Sequence, residues 1–138
     1  MNARILDLGC GAGIPVARRL ISLGHLVEGV DASSAQIERA CLNVPTADFH
    51  VGDMTGIERH PGTYDAVVAL YSITHIPRDE HASLFLRIYT WLKPGGLFLA
   101  SLGARDTPDW TGNWLGTTMF FSHFNAETNL RLLSEAMF

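Results

Sequence analysis

Residues 4–20 read RILDLGCGAGIPVARRL, and this stretch limits the fold more than any other part of the chain. A short apolar run, Ile5 to Leu8, ends in a turn with glycine at positions 9, 11 and 13 and passes directly into a helical pattern from about Gly13 to Leu23. Val16, Ala17, Leu20 and Ile21 share one face of that helix, while Arg18 and Arg19 point to water. A strand feeding a helix through a glycine turn opens a β-α-β unit, whose strands pair in parallel. Glycine in the turn removes the Cβ that would block a close ligand and permits positive φ. The N–H groups opening the helix favour electron-rich atoms. Pro15 suits the first helical turn, where a missing N–H has no partner to lose.

The alternation continues along the chain. Leu26 to Val30 reads as a second strand, and Ser33 with Gln36 as the capping box of a second helix. Asp48 to Val51 is a third strand; Ala66 to Tyr71 is the continuous apolar run expected of a central strand buried on both faces. Leu84, Phe85, Ile88, Trp91 and Leu92 form a helical stripe suited to lying on the sheet. Lys93-Pro94-Gly95-Gly96 stops that helix and turns the chain into a fifth strand, Leu97 to Ser101. Asn125 is placed to cap a last helix with Ala126, Leu130, Leu133 and Met137 on one side. Between Gly103 and Phe124 neither period holds, which predicts a lid or binding loop. The pattern predicts an α/β domain over residues 1–138: a doubly wound, mostly parallel sheet of about five strands with helices on both faces. The chain's 138 residues, 47% of them apolar, suffice for one such core.

The formal charge of -4, with no basic run, argues against a nucleic-acid surface. No signal-like N-terminus and no apolar stretch of bilayer length is present, which predicts a soluble, cytoplasmic protein without a membrane partner. Cys10 and Cys41 are too few for a disulfide framework and are expected to be reduced thiols. His75 and His81 find no third ligand at metal spacing, so no metal site is expected.

In an open parallel sheet, ligands bind beyond the carboxyl ends of the strands where the strand order reverses. The turn is not the dinucleotide fingerprint, because Ile14 occupies its sixth place, and not a phosphate loop, because Gly-Lys-Ser/Thr is absent. What remains is G-x-G-x-G preceded by Asp7. Asp31 closes the second strand eighteen positions beyond Gly13, where a carboxylate can accept hydrogen bonds from both hydroxyls of a ribose. Two charge-assisted bonds at roughly 1.5–3 kcal/mol each suffice to select a nucleoside. The competing role for Asp31, capping the second helix, is already filled by Ser33. Asp53 is a third acid at a strand's carboxyl end, equally at home as a solvated turn residue in V-G-D-M-T-G.

With these residues placed, the sequence resembles the class I S-adenosylmethionine-dependent methyltransferases over nearly its whole length. The resemblance is carried by D-L-G-C-G-A-G, V-D-A-S, V-G-D-M, Y-D-A-V-V-A-L-Y-S-I-T-H-I-P and L-K-P-G-G-L-F-L. It implies a Rossmann-like fold that lacks the family's usual last two strands, is truncated at both ends, and has Met137 where glycine is expected. It further implies methyl transfer from S-adenosylmethionine, with S-adenosylhomocysteine as product, to a small-molecule acceptor. Gly9, Gly11 and Gly13 would pack against the cofactor's methionine part and ribose, and Asp7 would anchor its amino group, directly or through water. Asp31 would hold the ribose diol, Ala32 would lie beside the adenine, and Asp53 with Met54 would contact its edge. Leu70 and Tyr71 would line the methionine end.

His75, just beyond the fourth strand, is the candidate base or acceptor-orienting group; a purely structural bond to a backbone carbonyl is the alternative. Trp110, Trp114, Phe120, Phe121 and His123 are suited to an aromatic lid over the acceptor, although Phe120 and Phe121 would serve equally as core. The bare edge of the fifth strand leaves room for a second copy of the chain. Two other readings stay open, a non-catalytic cofactor-binding or interaction module and a fragment of an NAD(P)-dependent oxidoreductase. O-, N-, C- and S-methylation are not distinguished by the sequence.

Overall fold

A computed structural model describes residues 2–138. Its elements in chain order are β1 (Arg4–Leu8), α1 (Val16–Ser22), β2 (Leu26–Asp31), α2 (Ser34–Asn43), β3 (Asp48–Val51), β4 (Tyr64–Ala69), α3 (His81–Trp91), β5 (Leu92–Ala100), β6 (Thr107–Trp114), β7 (Thr117–His123) and α4 (Ala126–Glu135). Strands β1 to β5 form one sheet in the order β3-β2-β1-β4-β5, every pair parallel. From β1 the chain steps first toward β2 and β3, and later returns to β4 and β5 on the other side. Right-handed crossovers then put α1 and α2 on one face and α3 on the opposite face. The reversal falls beside β1, so the ends of β1, β2 and β4 open onto a common crevice.

The core lies between the sheet and α3. Leu6, Leu8, Val67 and Ala69 from the central strands are fully buried against Leu84, Phe85, Ile88 and Trp91, the helical stripe legible in the sequence. Phe98 of β5 continues this layer, 6.0 Å from the Phe85 ring and 5.2 Å from Phe138. On the opposite face of β5, Leu97 and Leu99 are exposed, as an outer strand without a covering element requires. No helix among the described residues is long and apolar enough to cross a membrane.

Several local expectations are corrected. Helix α1 starts at Val16, three residues later than its apolar pattern suggests, with Pro15 at the N-cap. The Ser33 hydroxyl caps α2 by accepting from the Gln36 N–H at 3.3 Å, but the reciprocal half of a capping box is missing. The Ser33 N–H donates to Asp31 instead. Strand β4 begins at Tyr64 and ends at Ala69, so Leu70 and Tyr71 lie in the bend beyond it. The turn Lys93 to Gly96 is a bulge within the β4–β5 ladder, because the register jumps from Tyr64↔Leu92 to Ala66↔Leu97. On α4, Leu130 is exposed and the buried position is Asn129; just past the helix, Ala136 is buried and Met137 exposed. Asn129 donates to the carbonyls of Gly103 (2.8 Å) and Phe124 (3.1 Å), a polar task that an apolar stripe does not reveal. Met137 does adopt positive φ, 79°, where glycine is expected.

The largest correction concerns residues 103–124, which are not an irregular loop. They form an antiparallel hairpin with Trp110 opposite Phe121 and Trp114 opposite Thr117. Its two-residue turn places Leu115 and Gly116 at φ 51° and 85°, and Asn113 Oδ1 accepts from the Gly116 N–H at 3.1 Å.

Candidate active site

The site begins where β1 runs out. The N–H groups of Gly9 and Cys10 both donate to the Val30 carbonyl, at 2.7 and 3.0 Å, pulling the turn against the end of β2. Gly9 has φ 75°, and a Cβ on it would collide with the side chain of Ser72. The buried Ser72 hydroxyl in turn donates to the Leu8 carbonyl at 2.8 Å. The exits of β1 and β4 are therefore clasped together across a gap that only glycine fits.

The three glycines divide their work. Gly9 lines the cleft; Gly11 faces open space and donates its N–H to Asp31 Oδ2 at 2.9 Å. Gly13 lies behind the turn, where an added Cβ would press on Phe49 and Val44 at 3.2 Å. Of the three glycines, Gly9 borders the cleft, while Gly11 and Gly13 shape the turn around it.

Asp31 ends β2 with both carboxylate oxygens engaged once, Oδ2 by Gly11 and Oδ1 by the Ser33 N–H at 2.9 Å. Each oxygen keeps capacity for a further donor. Its side chain borders a cleft of about 240 Å³ together with Gly9, Ala32, Asp53, Met54, Tyr71, Ser72, His75 and Ile76. Asp53 spends its Oδ1 on the Thr55 N–H and hydroxyl, at 2.9 and 2.8 Å, so it is at once a loop-shaping residue and a wall of the cleft. Tyr71, at φ 54°, stands out into solvent at the cleft's edge with 81% of its surface exposed. Leu70 does not border the cleft.

Asp7 is buried within β1, and its Oδ2 has no hydrogen-bond partner among the described residues. Burial, and secondarily the charge of Asp31, pushes its pKa up to about 7. A carboxylate in that condition is matched by a cation brought to it from the crevice.

His75 closes a short 3₁₀ turn, Ile73–His75, that follows β4. Its Nδ1 lies 2.8 Å from the Phe120 carbonyl oxygen on β7. A carbonyl oxygen only accepts, so Nδ1 carries the hydrogen and Nε2 keeps its lone pair. The structural bond foreseen as an alternative to a chemical role is present, and it fixes the tautomer a base requires. The His75 ring is 4.7 Å from that of Phe121, which is 5.3 Å from Trp114 and 6.0 Å from Trp110. His123 is elsewhere: its Nδ1 pairs with the Arg105 carbonyl at 2.7 Å and its ring fills the space above Gly103. The hairpin is latched by Ser122, whose buried hydroxyl accepts from the Arg78 N–H at 2.8 Å and donates to Asp109 at 2.7 Å.

Ser72, Ile76 and Ser122 are the site residues that sequence reasoning missed. A serine carries no periodic signal, and only the three-dimensional meeting of β1, β4 and β7 gives these positions meaning. A larger cavity, about 760 Å³, lies against Glu28, Arg59 and Tyr64, away from the glycine turn. There Glu28 is neutralised by Arg59 at 2.6 Å and bonded by the Tyr64 hydroxyl at 2.5 Å, a closed structural network. Among the described residues no group of three or more His, Cys, Asp or Glu is arranged to hold a metal ion, and Cys10 and Cys41 are free thiols.

A doubly wound sheet with a glycine turn after β1 and an acid closing β2 defines a nucleoside-binding protein. The family model for the methyltransferase domain matches residues 5–96. The chain belongs to this family, the class I S-adenosylmethionine-dependent methyltransferases. It is 34% identical over 105 residues to a ubiquinone biosynthesis O-methyltransferase of Burkholderia ambifaria, covering 72% of this chain and 44% of that protein. The chain thus spans less than half the length of this relative. It superimposes on a S-adenosylmethionine-dependent methyltransferase from Methanosarcina mazei with a TM-score of 0.83, at 24% identity, over 98% of this chain and 79% of the other. A Haemonchus contortus phosphoethanolamine N-methyltransferase, solved with S-adenosyl-L-methionine, matches at 28% identity and a TM-score of 0.80 over 99% of this chain and 33% of that one. The residues of this chain fit the family's cofactor: Asp31 has acceptor capacity for a sugar diol, and Asp7 holds an orphaned buried oxygen for an amino group.

Proposed function

We propose that the cleft at the ends of β1, β2 and β4 binds S-adenosylmethionine and that the chain takes part in methyl transfer to a small-molecule acceptor. The observation that carries this reading is the Asp31 carboxylate, held by two backbone N–H groups and bordering the cleft. Its orientation is set before any ligand arrives, so little ordering entropy opposes binding. Asp31 takes the ribose hydroxyls, Ala32 and Met54 flank the adenine, and Asp53 contacts its edge. Gly9 lets the sugar and methionine part approach the main chain, and Asp7 balances the amino cation. Gly13 acts indirectly, by packing the turn against α2 and β3.

S-adenosylmethionine, when bound, supplies an activated methyl group on a positively charged sulfur. The protein's remaining task is to orient an acceptor and remove its proton, and orientation alone accounts for much of such a rate enhancement. His75 is suited to the second task through Nε2. The relatives named for O- and N-methylation share a need for a nucleophile with an available lone pair, which a neutral imidazole can unmask. Substituting Asp31→Ala should weaken S-adenosylhomocysteine binding by about 2 kcal/mol, near thirtyfold, measured by calorimetry. Unchanged affinity would remove Asp31 from the ribose and take this reading with it.

A further inference from the structure

The cleft wall that faces Gly9 is not part of the sheet. Residues 52–63, which join β3 to β4, contain neither helix nor strand, yet they carry Asp53 and Met54, both on the cleft. Such a segment keeps its place only where its main-chain groups find fixed partners. The first of these are local. The Gly52 N–H donates to the Asp31 carbonyl at 3.0 Å, and the Gly56 and Ile57 N–H groups return to the Asp53 carbonyl at 2.9 and 3.1 Å, closing a single turn. Asp53 Oδ1 caps the start of that turn by accepting from the Thr55 N–H at 2.9 Å.

The far end of the turn is held from outside. Arg87 reaches across from α3 and donates from Nη1 to the Ile57 carbonyl at 3.1 Å and from Nη2 to the Met54 carbonyl at 3.4 Å. A planar guanidinium on two carbonyls fixes orientation as well as distance, which the single ammonium of a lysine does not. The Arg87 Nε is buried without a partner among the described residues, and the guanidinium carbon lies 5.8 Å from the centre of the Trp91 ring. Glu58, the acid paired with Arg87, stands 3.9 Å away and is 80% exposed, so the carbonyls are the closer contacts. A leucine at this position would pack on Trp91 without the cost of desolvating a cation. What the arginine adds is a fixed place for the turn.

Met54 connects that place to the ligand. Its Cε lies 3.5 Å from where a Cβ on Gly9 would stand, so this side chain sets the width of the cleft at the glycine turn. We infer that Arg87 is a positioning residue of the cofactor site: through the Met54 and Ile57 carbonyls it fixes the Asp53–Met54 wall opposite Gly9, and with it the affinity for the adenosine part of the ligand. This rests on the S-adenosylmethionine reading of the cleft.

The test uses the full chain and S-adenosylhomocysteine. Arg87→Met keeps an unbranched side chain against Trp91 and removes every donor; it should weaken binding about tenfold by calorimetry, and Arg87→Lys, which serves one carbonyl at a time, about threefold. Asn129→Ala provides the comparison, because it removes donors to the Gly103 and Phe124 carbonyls at the base of the hairpin. It should lower the urea midpoint by a similar amount yet leave the affinity unchanged, whereas a merely structural Arg87 would make affinity follow the midpoint in both proteins. Amide exchange at Gly56 and Ile57 in the ligand-free protein should quicken about tenfold in Arg87→Lys, a readout that stands even if Arg87→Met does not fold. Unchanged affinity in Arg87→Met, an equal loss in Asn129→Ala, or unchanged exchange in Arg87→Lys overturns the positioning role alone. Failure of the unsubstituted chain to bind S-adenosylhomocysteine overturns the cofactor reading instead, and the exchange rates then still decide whether Arg87 holds the turn.

Discussion

The Nδ1 atom of His75 is held 2.8 Å from the carbonyl oxygen of Phe120, forty-five residues further along the chain. By fixing which imidazole nitrogen keeps a lone pair, the bond ties β7 to the role proposed for His75. His75→Ala should accordingly lower turnover on the order of 10²- to 10⁴-fold, the span of general-base effects. S-adenosylhomocysteine affinity should change little. A turnover loss matched by an equal loss of affinity would assign His75 to the cofactor instead.

Ser122 holds β7 in that position. Ser122→Ala leaves the Arg78 N–H and Asp109 without their shared partner, one of them facing a buried site. A cost of about 1–3 kcal/mol in urea unfolding is expected. Turnover should fall with S-adenosylhomocysteine binding intact, since the cleft's own walls do not include the hairpin. Full activity in this variant would show that the hairpin does not hold the base.

Asp7 gives the site a pH dependence. Its folded-state pKa of about 7 stands above the ordinary aspartate value of 3.8, so the folded chain binds this proton more tightly than the unfolded one. The resulting penalty is absent below the lower value, grows between the two and is complete above the upper. Its full size is on the order of 4 kcal/mol. Asp7→Asn should therefore raise the urea midpoint at about pH 8 and leave it nearly unchanged at about pH 4. A cationic ligand favours ionised Asp7, so S-adenosylhomocysteine affinity should fall as pH drops below about 7. A flat affinity profile across that range would contradict the role of Asp7.

Two alanine substitutions in the same turn should differ. Gly9→Ala sets a Cβ against Ser72 and also forces positive φ, and should cost several kcal/mol. Gly11→Ala meets open space and bears only the conformational penalty, about 1–2 kcal/mol. Equal destabilisation would refute the clasp between β1 and β4.

Much of this arrangement was legible in the residues. The glycine turn, Asp31 at the end of β2 and the β3 span Asp48–Val51 stand where the pattern places them, because apolar strand runs and the glycine turn between strand and helix are written in local sequence. The hairpin was not legible. Pro108 and Gly112 interrupt β6, and its turn carries Leu115 in a left-handed conformation that leucine rarely adopts. The α4 face was misread because Asn129, not an apolar residue, is what the base of the hairpin needs buried. Ser72 was invisible for a related reason: its value lies in reaching the Leu8 carbonyl across sixty-four positions.

The most direct test is a crystal structure of the chain with S-adenosylhomocysteine. The account predicts the ribose hydroxyls on Asp31, the amino group toward Asp7, and the sulfur on the side of the cleft that His75 borders. Density for the ligand in the cavity beside Glu28 and Arg59, or a ribose that does not touch Asp31, would contradict it.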